Sequence, residues 1–242
     1  MTANPLRLIW GIYTWLLAVL TVLVVAVPVL VLPTVRGRRA SARAICRSYF
    51  FLCGLPVRCI GMERLPAGPC VVVANHASNF DGPLLFSVLP PRFGFVVKKE
   101  AARIPVAGTL MQKLGHLYVN RFNRHEGAND ARRILRAVAQ GEAVAFFPEG
   151  TFGVQTGVAR FHTGAFMAAA RAGLPVTPVV IRGTRRVLRG KTVLPRWSRI
   201  EVEVLEPIAV SADGQGATGP GARQVRDLAR ERIAAAIPEP LL

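Results

Sequence analysis

The chain opens with a long run of apolar residues that no charge interrupts. Residues 9–32 read IWGIYTWLLAVLTVLVVAVPVLVL. At about 1.5 Å per residue, a helix of this length measures roughly 36 Å, which is enough to cross a hydrocarbon core of about 30 Å. Trp10, Tyr13 and Trp15 lie near its beginning, where aromatic rings favour the membrane interface. The pattern predicts a membrane anchor helix over residues 1–33, because the run is too long for a cleaved signal peptide.

A second segment, residues 34–58, combines arginines with apolar positions. Within it, residues 40–55 would bring their large apolar side chains together on a helix, with the arginines elsewhere. That pattern is typical of an amphipathic helix in the headgroup region. The two segments are compatible with a spanning helix or with a helical hairpin that lies in the membrane interface. Because five arginines between residues 36 and 47 follow the apolar run, the positive-inside rule places the rest of the chain on the cytoplasmic side of the cell inner membrane.

From residue 67 onward the chain alternates between strand-like and helix-like stretches. The strand-like stretches are short and rich in β-branched or aromatic residues, and they cover residues 70–75, 93–97, 116–120, 143–147, 176–181 and 200–205. The helix-like stretches cover residues 99–114, 124–140, 162–172 and 222–236. This alternation predicts an α/β domain over residues 59–242, with a largely parallel mixed sheet flanked by helices. The last strand-like stretch alternates polar and apolar residues, so we expect one of its faces to meet water.

The charge of the chain indicates an anionic partner. The sequence has 31 Lys and Arg residues against 14 Asp and Glu, a net charge of +17, which suits nucleic acid or anionic lipid. No helix-turn-helix or zinc knuckle is visible, and the basic cluster adjoins the apolar run, so lipid is favoured over nucleic acid. The four cysteines have spacings that fit no common zinc pattern. We interpret them as free thiols of a reducing compartment, and we expect no metal site.

The candidate chemistry begins directly after the first of these strands. His76 and Asp81 are five positions apart in the segment NHASNFDG, and a helix that begins near Ser78 would point both side chains into one pocket. A carboxylate bonded to one imidazole nitrogen fixes the tautomer and raises the basicity of the other nitrogen. No nucleophile-elbow pattern surrounds Ser78, so direct attack by a substrate hydroxyl is the simpler chemistry. The plainer alternative is a surface histidine beside a helix-capping aspartate.

Two further polar clusters follow strand-like stretches. Glu149 and Gly150 come after residues 143–147, where backbone N–H groups near a helix start could hold an anionic oxygen. Arg121 follows residues 116–120, and its planar fork could clamp a phosphate. The alternative for Gly150 is a strand-ending turn that needs the backbone freedom of glycine. The alternative for Arg121 is a side chain that is simply solvated. Because the carboxyl ends of parallel strands carry the chemistry of such sheets, we expect these clusters to lie close to His76.

Four ordered motifs carry a resemblance to a known family. They are H-x-x-x-x-D at His76–Asp81, a glycine followed by an apolar strand and an arginine at Gly115–Arg121, F-P-E-G-T at Phe147–Thr151, and an apolar strand with prolines at Leu174–Val179. In this order and spacing, the motifs resemble the glycerolipid acyltransferases typified by 1-acylglycerol-3-phosphate acyltransferase. The resemblance covers about residues 55–210.

The resemblance implies an O-acyltransferase that forms no covalent enzyme intermediate. His76, oriented by Asp81, would act as general base on the free hydroxyl of a lysophospholipid. That hydroxyl would then attack the thioester of acyl-CoA or acyl-carrier protein. The leading acceptor is 1-acylglycerol-3-phosphate, which would give phosphatidic acid. No cofactor is implied beyond the acyl donor. The residues expected to bind substrate are Asn75, Arg121, Glu149, Gly150 and Thr151.

Two departures from the family pattern leave alternatives for the acceptor. The third motif often continues with Arg-Ser, whereas here Phe152-Gly153 follows. A downstream F-K-x-G pattern is replaced by residues 161–164, FHTG. Both changes remove positive charge, although Arg160 and His162 lie nearby. An amino-acid lipid, a glycolipid or a lysophospholipid with a larger headgroup remains open, as does a catalytically silent lipid-binding membrane protein.

Overall fold

The computed structural model describes residues 5–120, 124–151, 157–188, 192–211 and 220–237. The α-helices within these ranges are α1 (Pro5–Val31), α2 (Val35–Leu52), α3 (Asp81–Val88), α4 (Ala107–Lys113), α5 (Arg124–Ala139), α6 (Gly164–Ala172), α7 (Thr184–Val187) and α8 (Ala222–Ala235). The strands are β1 (Val57–Ile60), β2 (Val71–Ala74), β3 (Phe93–Lys98), β4 (Leu117–Val119), β5 (Ala143–Phe146), β6 (Val176–Arg182) and β7 (Ile200–Val204). Short 3₁₀ helices cover Met62–Arg64 and Lys99–Arg103.

The seven strands form one sheet in the order β1-β7-β6-β2-β5-β3-β4. Neighbouring strands are parallel except for the pair β6 and β7. This architecture confirms the predicted α/β fold with a largely parallel mixed sheet. Val73 of β2 is in register with Phe146 of β5 and with Pro178 of β6. The ends of these three parallel strands therefore meet at one edge of the sheet.

The central strand β2 shows how the sheet builds two apolar layers. Its four residues are all buried. Val72 and Ala74 pack with α2 and α3 on one face, whereas Val71 and Val73 pack with α5, α6 and α8 on the other. Because successive side chains of a strand point to opposite faces, a continuous apolar run is what a strand covered on both sides requires.

The first two helices form a hairpin, which we call the α1–α2 hairpin. Thr34 begins α2, where its side chain accepts a hydrogen bond from the Gly37 N–H. Near the start of α1, the Trp10 indole N–H donates to the Cys53 carbonyl at 3.2 Å, and the Trp15 indole donates to the Val193 carbonyl at 2.7 Å. Near its end, Val29 is buried in a cluster that includes residues of α4. Both ends of α1 thus contact the rest of the molecule.

The structure departs from the sequence pattern in a few elements. The single helix expected over residues 99–114 is a 3₁₀ helix followed by α4. Val106 between them has a φ of 62°, a left-handed value that breaks a helix. Strand β1 lies at the sheet edge and exposes Arg58 and Cys59, so it carries no strong apolar pattern. It also runs across the predicted boundary between residues 58 and 59. In β7 the apolar residues are buried and the two glutamates are half-buried, as the alternation predicted.

Candidate active site

His76 and Asp81 lie together at the edge where β2 ends. His76 Nδ1 is 2.9 Å from Asp81 Oδ2. The aspartate side chain is fully buried, whereas that of the histidine retains 18% of its exposure. An ionised carboxylate only accepts hydrogen bonds, so Nδ1 carries the proton and Nε2 is the basic nitrogen. The pair expected from the spacing of five is therefore formed, with the histidine on its accessible side.

A tight turn fixes the aspartate. The backbone N–H groups of Ala77 and Ser78 donate to Asp81 Oδ2 at 2.6 and 2.7 Å. One carboxylate oxygen thus accepts three hydrogen bonds, counting the one from His76. Asp81 is also the first residue of α3, where the helix dipole favours a negative charge. The sequence predicted a helix start near this point, and the observed turn fixes the position of the carboxylate through these hydrogen bonds.

Two residues of the F-P-E-G-T motif support His76 directly. The Phe147 ring stacks on the imidazole with centroids 4.4 Å apart and an interplanar angle of 24°. Glu149 Oε1 accepts the His76 backbone N–H at 2.7 Å, and Oε2 accepts the Ala159 N–H at 2.9 Å. The carboxylate of Glu149 therefore ties the His76 segment to the stretch around Ala159. Burial raises the pKa of Glu149 above its ordinary value, and these two N–H donors act against that shift.

Asn75 is engaged with the neighbouring strand. Its amide group donates to the Ile181 carbonyl at 2.9 Å and accepts the Ile181 N–H at 2.7 Å. The Asn75 side chain is 5% exposed. This two-way pairing joins the end of β2 to β6 and fixes the residue that precedes His76. A contact between Asn75 and substrate stays a prediction.

The remaining predicted site residues occupy different positions. Gly150 has a φ of 80°, and its N–H donates to the Phe147 carbonyl at 3.0 Å, so it closes a turn beside the histidine. Thr151 follows it and is exposed. Arg121 lies outside the described residues, so its predicted phosphate contact is not placed. The roles of these three residues in binding substrate stay predictions.

Sequence reasoning missed a contribution from the last helix. Arg230 of α8 donates to the carbonyls of Ala159 and Val158 at 3.0 and 2.8 Å. These carbonyls belong to the stretch whose Ala159 N–H binds Glu149. A chain of contacts therefore leads from α8 through Glu149 to His76. No short motif carries this signal, because the arginine is 154 positions away from the histidine.

A groove of about 540 Å³ adjoins the site on the β5 side. Phe147, Gly150 and His162 line its polar end, and Ile134, Ala165 and Met167 are among its apolar lining. Its volume lies within the roughly 300–1,000 Å³ of small-molecule sites. His162 is exposed there. Within the described residues, no group of three or more His, Cys, Asp or Glu side chains could hold a metal ion, and the four cysteines are unpaired thiols.

The geometry agrees with comparisons to known proteins. The family model described as acyltransferase matches residues 56–182, which is just over half of the chain. A 1-acyl-sn-glycerol-3-phosphate acyltransferase of Haemophilus influenzae is 32% identical over 178 residues, and the match covers 72% of each chain. A protein of the same name from Escherichia coli is 31% identical over 191 residues, 76% of this chain and 75% of that protein.

Two further comparisons bear on length and fold. The 1-acyl-sn-glycerol-3-phosphate acyltransferase of Chlamydomonas reinhardtii is 33% identical over 189 residues, and the match spans 77% of this chain but only 54% of that protein. The crystal structure of the 1-acyl-sn-glycerophosphate acyltransferase PlsC from Thermotoga maritima is 21% identical with a TM-score of 0.76, over 95% of this chain and 94% of that one. It shows that the fold is shared.

These matches confirm the prediction made from four ordered motifs. The match of the family model begins just before β1 and ends with β6, so it contains the histidine, the aspartate and the glutamate described above. The bacterial relatives cover more than two thirds of the chain. The chain therefore belongs to the 1-acylglycerol-3-phosphate acyltransferase family and is an acyltransferase.

Proposed function

We propose that the protein transfers a fatty acyl group from acyl-CoA or acyl-carrier protein to the free hydroxyl of 1-acylglycerol-3-phosphate, with phosphatidic acid as the product. The observation that supports this most is the buried Asp81 carboxylate, 2.9 Å from an accessible His76. The relatives are named for this acceptor, which supports the proposal. The donor and the product are our inference from the chemistry of the family.

In this mechanism the substrate hydroxyl approaches Nε2 of His76 and gives up its proton there. The oxygen forms a bond to the thioester carbonyl carbon, and the tetrahedral intermediate then expels the thiolate, which takes the proton from the imidazolium. Asp81 stabilises the imidazolium while it exists and keeps the ring in its tautomer. Phe147 and Glu149 hold the ring and the backbone in place, so the imidazole is aligned before the substrate binds.

We also propose that the α1–α2 hairpin binds the protein to the inner membrane with the catalytic domain in the cytoplasm. Of the described helices, α1 is the one long and apolar enough to cross a membrane. Its outward side exposes a continuous set of large apolar residues: Leu6, Ile9, Ile12, Leu16, Val19, Leu20, Leu23, Val27, Leu30 and Val31. Large contiguous apolar patches on a protein surface mark sites of contact with a membrane or with another protein.

The position of α1 favours a hairpin that lies in the interface over a spanning helix. Contacts with the catalytic domain or with the end of α2 begin at Trp10 and continue to Val29. These 20 residues correspond to about 29 Å of helix. A helix that crossed the bilayer would move away from the water-exposed domain within a few turns. The helix α1 instead stays in contact with the protein along nearly its whole length.

The proposed activity is tested with purified protein in mixed micelles. Thiol release is followed with both donor types and a panel of lysolipids. We expect His76→Ala and Asp81→Asn to reduce turnover by about 10³-fold or more, because a general base and its orienting carboxylate contribute roughly 10²–10⁴ each. Asp227→Asn, which changes an exposed carboxylate of α8, is the matched control and should retain activity.

The lysolipid panel also separates the alternatives for the acceptor. Turnover with 1-acylglycerol-3-phosphate alone supports the proposal, whereas preference for a glycolipid or an amino-acid lipid would replace it. Full activity in His76→Ala would overturn the mechanism. A folded protein that releases no thiol with any acceptor would instead indicate a silent lipid-binding protein.

A further inference from the structure

A second cavity adjoins the catalytic histidine on the side opposite the groove. It has a volume of about 470 Å³ and lies where β6 ends and β1 and β7 begin. Asn75 and Ala77, the residues on either side of His76, are part of its lining. The histidine thus stands between this cavity and the groove beside Phe147 and Gly150. We call it the arginine cavity, after the residues described next.

The lining of the arginine cavity is strongly basic. Glu201 is the one acidic residue among the described residues that line it, and the five arginines that line it are Arg58, Arg182, Arg185, Arg186 and Arg199. Arg182 Nη1 and Nη2 bind Glu201 and Glu203 at 2.5 and 2.6 Å, so its charge is balanced. When Glu203 is counted with Glu201, the five arginines still exceed the two glutamates by three positive charges.

The backbone at the cavity is built to bring these arginines together. Gly183 has a φ of 89°, and a Cβ at this position would lie 2.0 Å from the Arg199 carbonyl oxygen. Only glycine allows α7, which carries Arg185 and Arg186, to approach the start of β7 this closely. Thr184 also lines the cavity and is 1% exposed, and its Oγ1 has no hydrogen-bond partner among the described residues. That oxygen lies below the cavity surface, so the donors that face a ligand come from the arginines.

The chemistry of this lining suits a phosphate ester. Guanidinium groups bind phosphate through paired N–H donors. A neutral lipid or a thioester carries no charge that would require several arginines around one concave site. The cavity lies within the size range of small-molecule sites. Both substrates of the proposed reaction carry phosphate, the acceptor on its glycerol and the donor on its pantetheine or nucleotide part.

We propose that the arginine cavity binds a phosphate group of one of the two substrates and so positions that substrate beside His76. The proposal rests on the proposed acyl transfer and adds a binding site outside the four sequence motifs, since Arg185, Arg186 and Arg199 follow the last of them. It also supplies positive charge at the active site, where the F-P-E-G-T motif continues with Phe152-Gly153 instead of Arg-Ser.

The test compares two double variants that remove equal charge. R186Q/R199Q changes two exposed side chains of the cavity, and R132Q/R133Q changes two exposed side chains of α5 that do not line it. KM is measured separately for acyl-CoA and for 1-acylglycerol-3-phosphate. We expect R186Q/R199Q to raise KM for one of them by about tenfold with kcat nearly unchanged, since the loss of about 1.4 kcal/mol of phosphate binding from the two side chains together corresponds to that factor.

The substrate whose KM rises identifies the source of the phosphate. Titration with adenosine 3′,5′-bisphosphate and with glycerol 3-phosphate gives an independent reading that requires no turnover. One probe should bind to the unmodified protein and to His76→Ala alike, and about tenfold more weakly to R186Q/R199Q. Failure of the proposed reaction would remove turnover but not this binding. Unchanged KM values together with unchanged probe binding in R186Q/R199Q, equal losses in R132Q/R133Q, or no binding of either probe would each overturn the proposal.

Discussion

At the scale of single residues, the spacing predicted the contact between His76 and Asp81 but not the hydrogen bonds that fix it. The five-residue interval placed His76 and Asp81 together, because a strand that turns into a helix brings these positions to one side. The donors from Ala77 and Ser78 to the carboxylate depend on backbone angles within that turn, which no pattern of side chains encodes. The side-chain pattern also did not predict the contacts of Glu149. This residue was expected beside the acceptor, and its carboxylate accepts hydrogen bonds from two backbone N–H groups.

His116 gives a prediction about pH and stability. Its ring packs edge to face against Phe86 and Phe95, and its Nδ1 accepts the Phe95 N–H. Burial, with the nearby Arg39 charge, lowers the pKa of His116 from 6.5 to about 3. The neutral form is thus favoured in the folded state, so its contribution to stability is complete above pH 6.5 and is lost as the pH falls towards 3.

We therefore expect the free energy of unfolding to fall by about 1–2 kcal/mol more in the unmodified protein than in His116→Asn between pH 7 and pH 5. Asparagine can accept the same N–H without titrating. Denaturant unfolding in detergent at the two pH values measures the difference. Parallel loss of stability in the two proteins would mean that this histidine is not the responsible group.

At the scale of elements, the apolar patterns predicted most helices and strands. They did not predict the contacts of the arginines in α2. The five arginines between residues 36 and 47 were counted as a basic cluster that favours lipid, but three of them donate to backbone carbonyls of the protein. Arg39 alone binds the carbonyls of Leu114, Gly115 and Arg92 at 2.7–3.1 Å. Arg38 and Arg43 bind further carbonyls. The number of arginines in a segment does not show whether they contact lipid headgroups or bind carbonyl groups of the protein itself.

Helix α8 provides a prediction about catalysis from a distance. Arg230→Met removes the donors that hold Val158 and Ala159 while it keeps an apolar stem of similar length. Since Ala159 binds Glu149 and Glu149 binds the His76 backbone, we expect kcat to fall by about 5–30-fold with little change in either KM, because misalignment of His76 would raise the barrier by about 1–2 kcal/mol. Steady-state kinetics measures both constants.

Two companion variants show whether Arg230 acts by positioning. Arg230→Lys keeps a donor at this place and should recover part of kcat. Arg223→Met changes an exposed arginine of the same helix and should behave as the unmodified protein. Equal effects of Arg223→Met and Arg230→Met, or a loss explained entirely by a lower melting temperature, would remove the positioning role.

At the scale of the whole molecule, the sequence predicted a domain and an anchor, and the structure shows them packed as one body. The apolar run could not reveal this packing, because the exposed and the buried residues of α1 are chemically alike. The polar contacts that fasten α1, such as the indoles of Trp10 and Trp15 on backbone carbonyls, come from residues that also suit a membrane interface. The same aromatic residues therefore suit a membrane interface and a contact within the protein, and the sequence alone does not distinguish these two roles.

The proposed interfacial position of α1 predicts the outcome of a topology experiment. Leu6 and Val31, near opposite ends of α1, are 73% and 75% exposed. In a Cys59→Ser background, we expect Leu6→Cys and Val31→Cys to react equally with a membrane-impermeant thiol reagent added to inverted membrane vesicles. Neither should react in right-side-out vesicles. Labelling of the two positions from opposite sides would show that α1 spans the membrane.

The fastening of α1 at both ends, in the interfacial arrangement that we propose, has a consequence for the proposed lipid product. A catalytic unit whose anchor never leaves one surface touches a single leaflet of the bilayer. The acceptor must then be drawn from that leaflet by lateral diffusion, and the newly acylated lipid returns to the same leaflet. Growth of the opposite leaflet would depend on a separate translocation step, because nothing in this arrangement carries a headgroup across the hydrocarbon core.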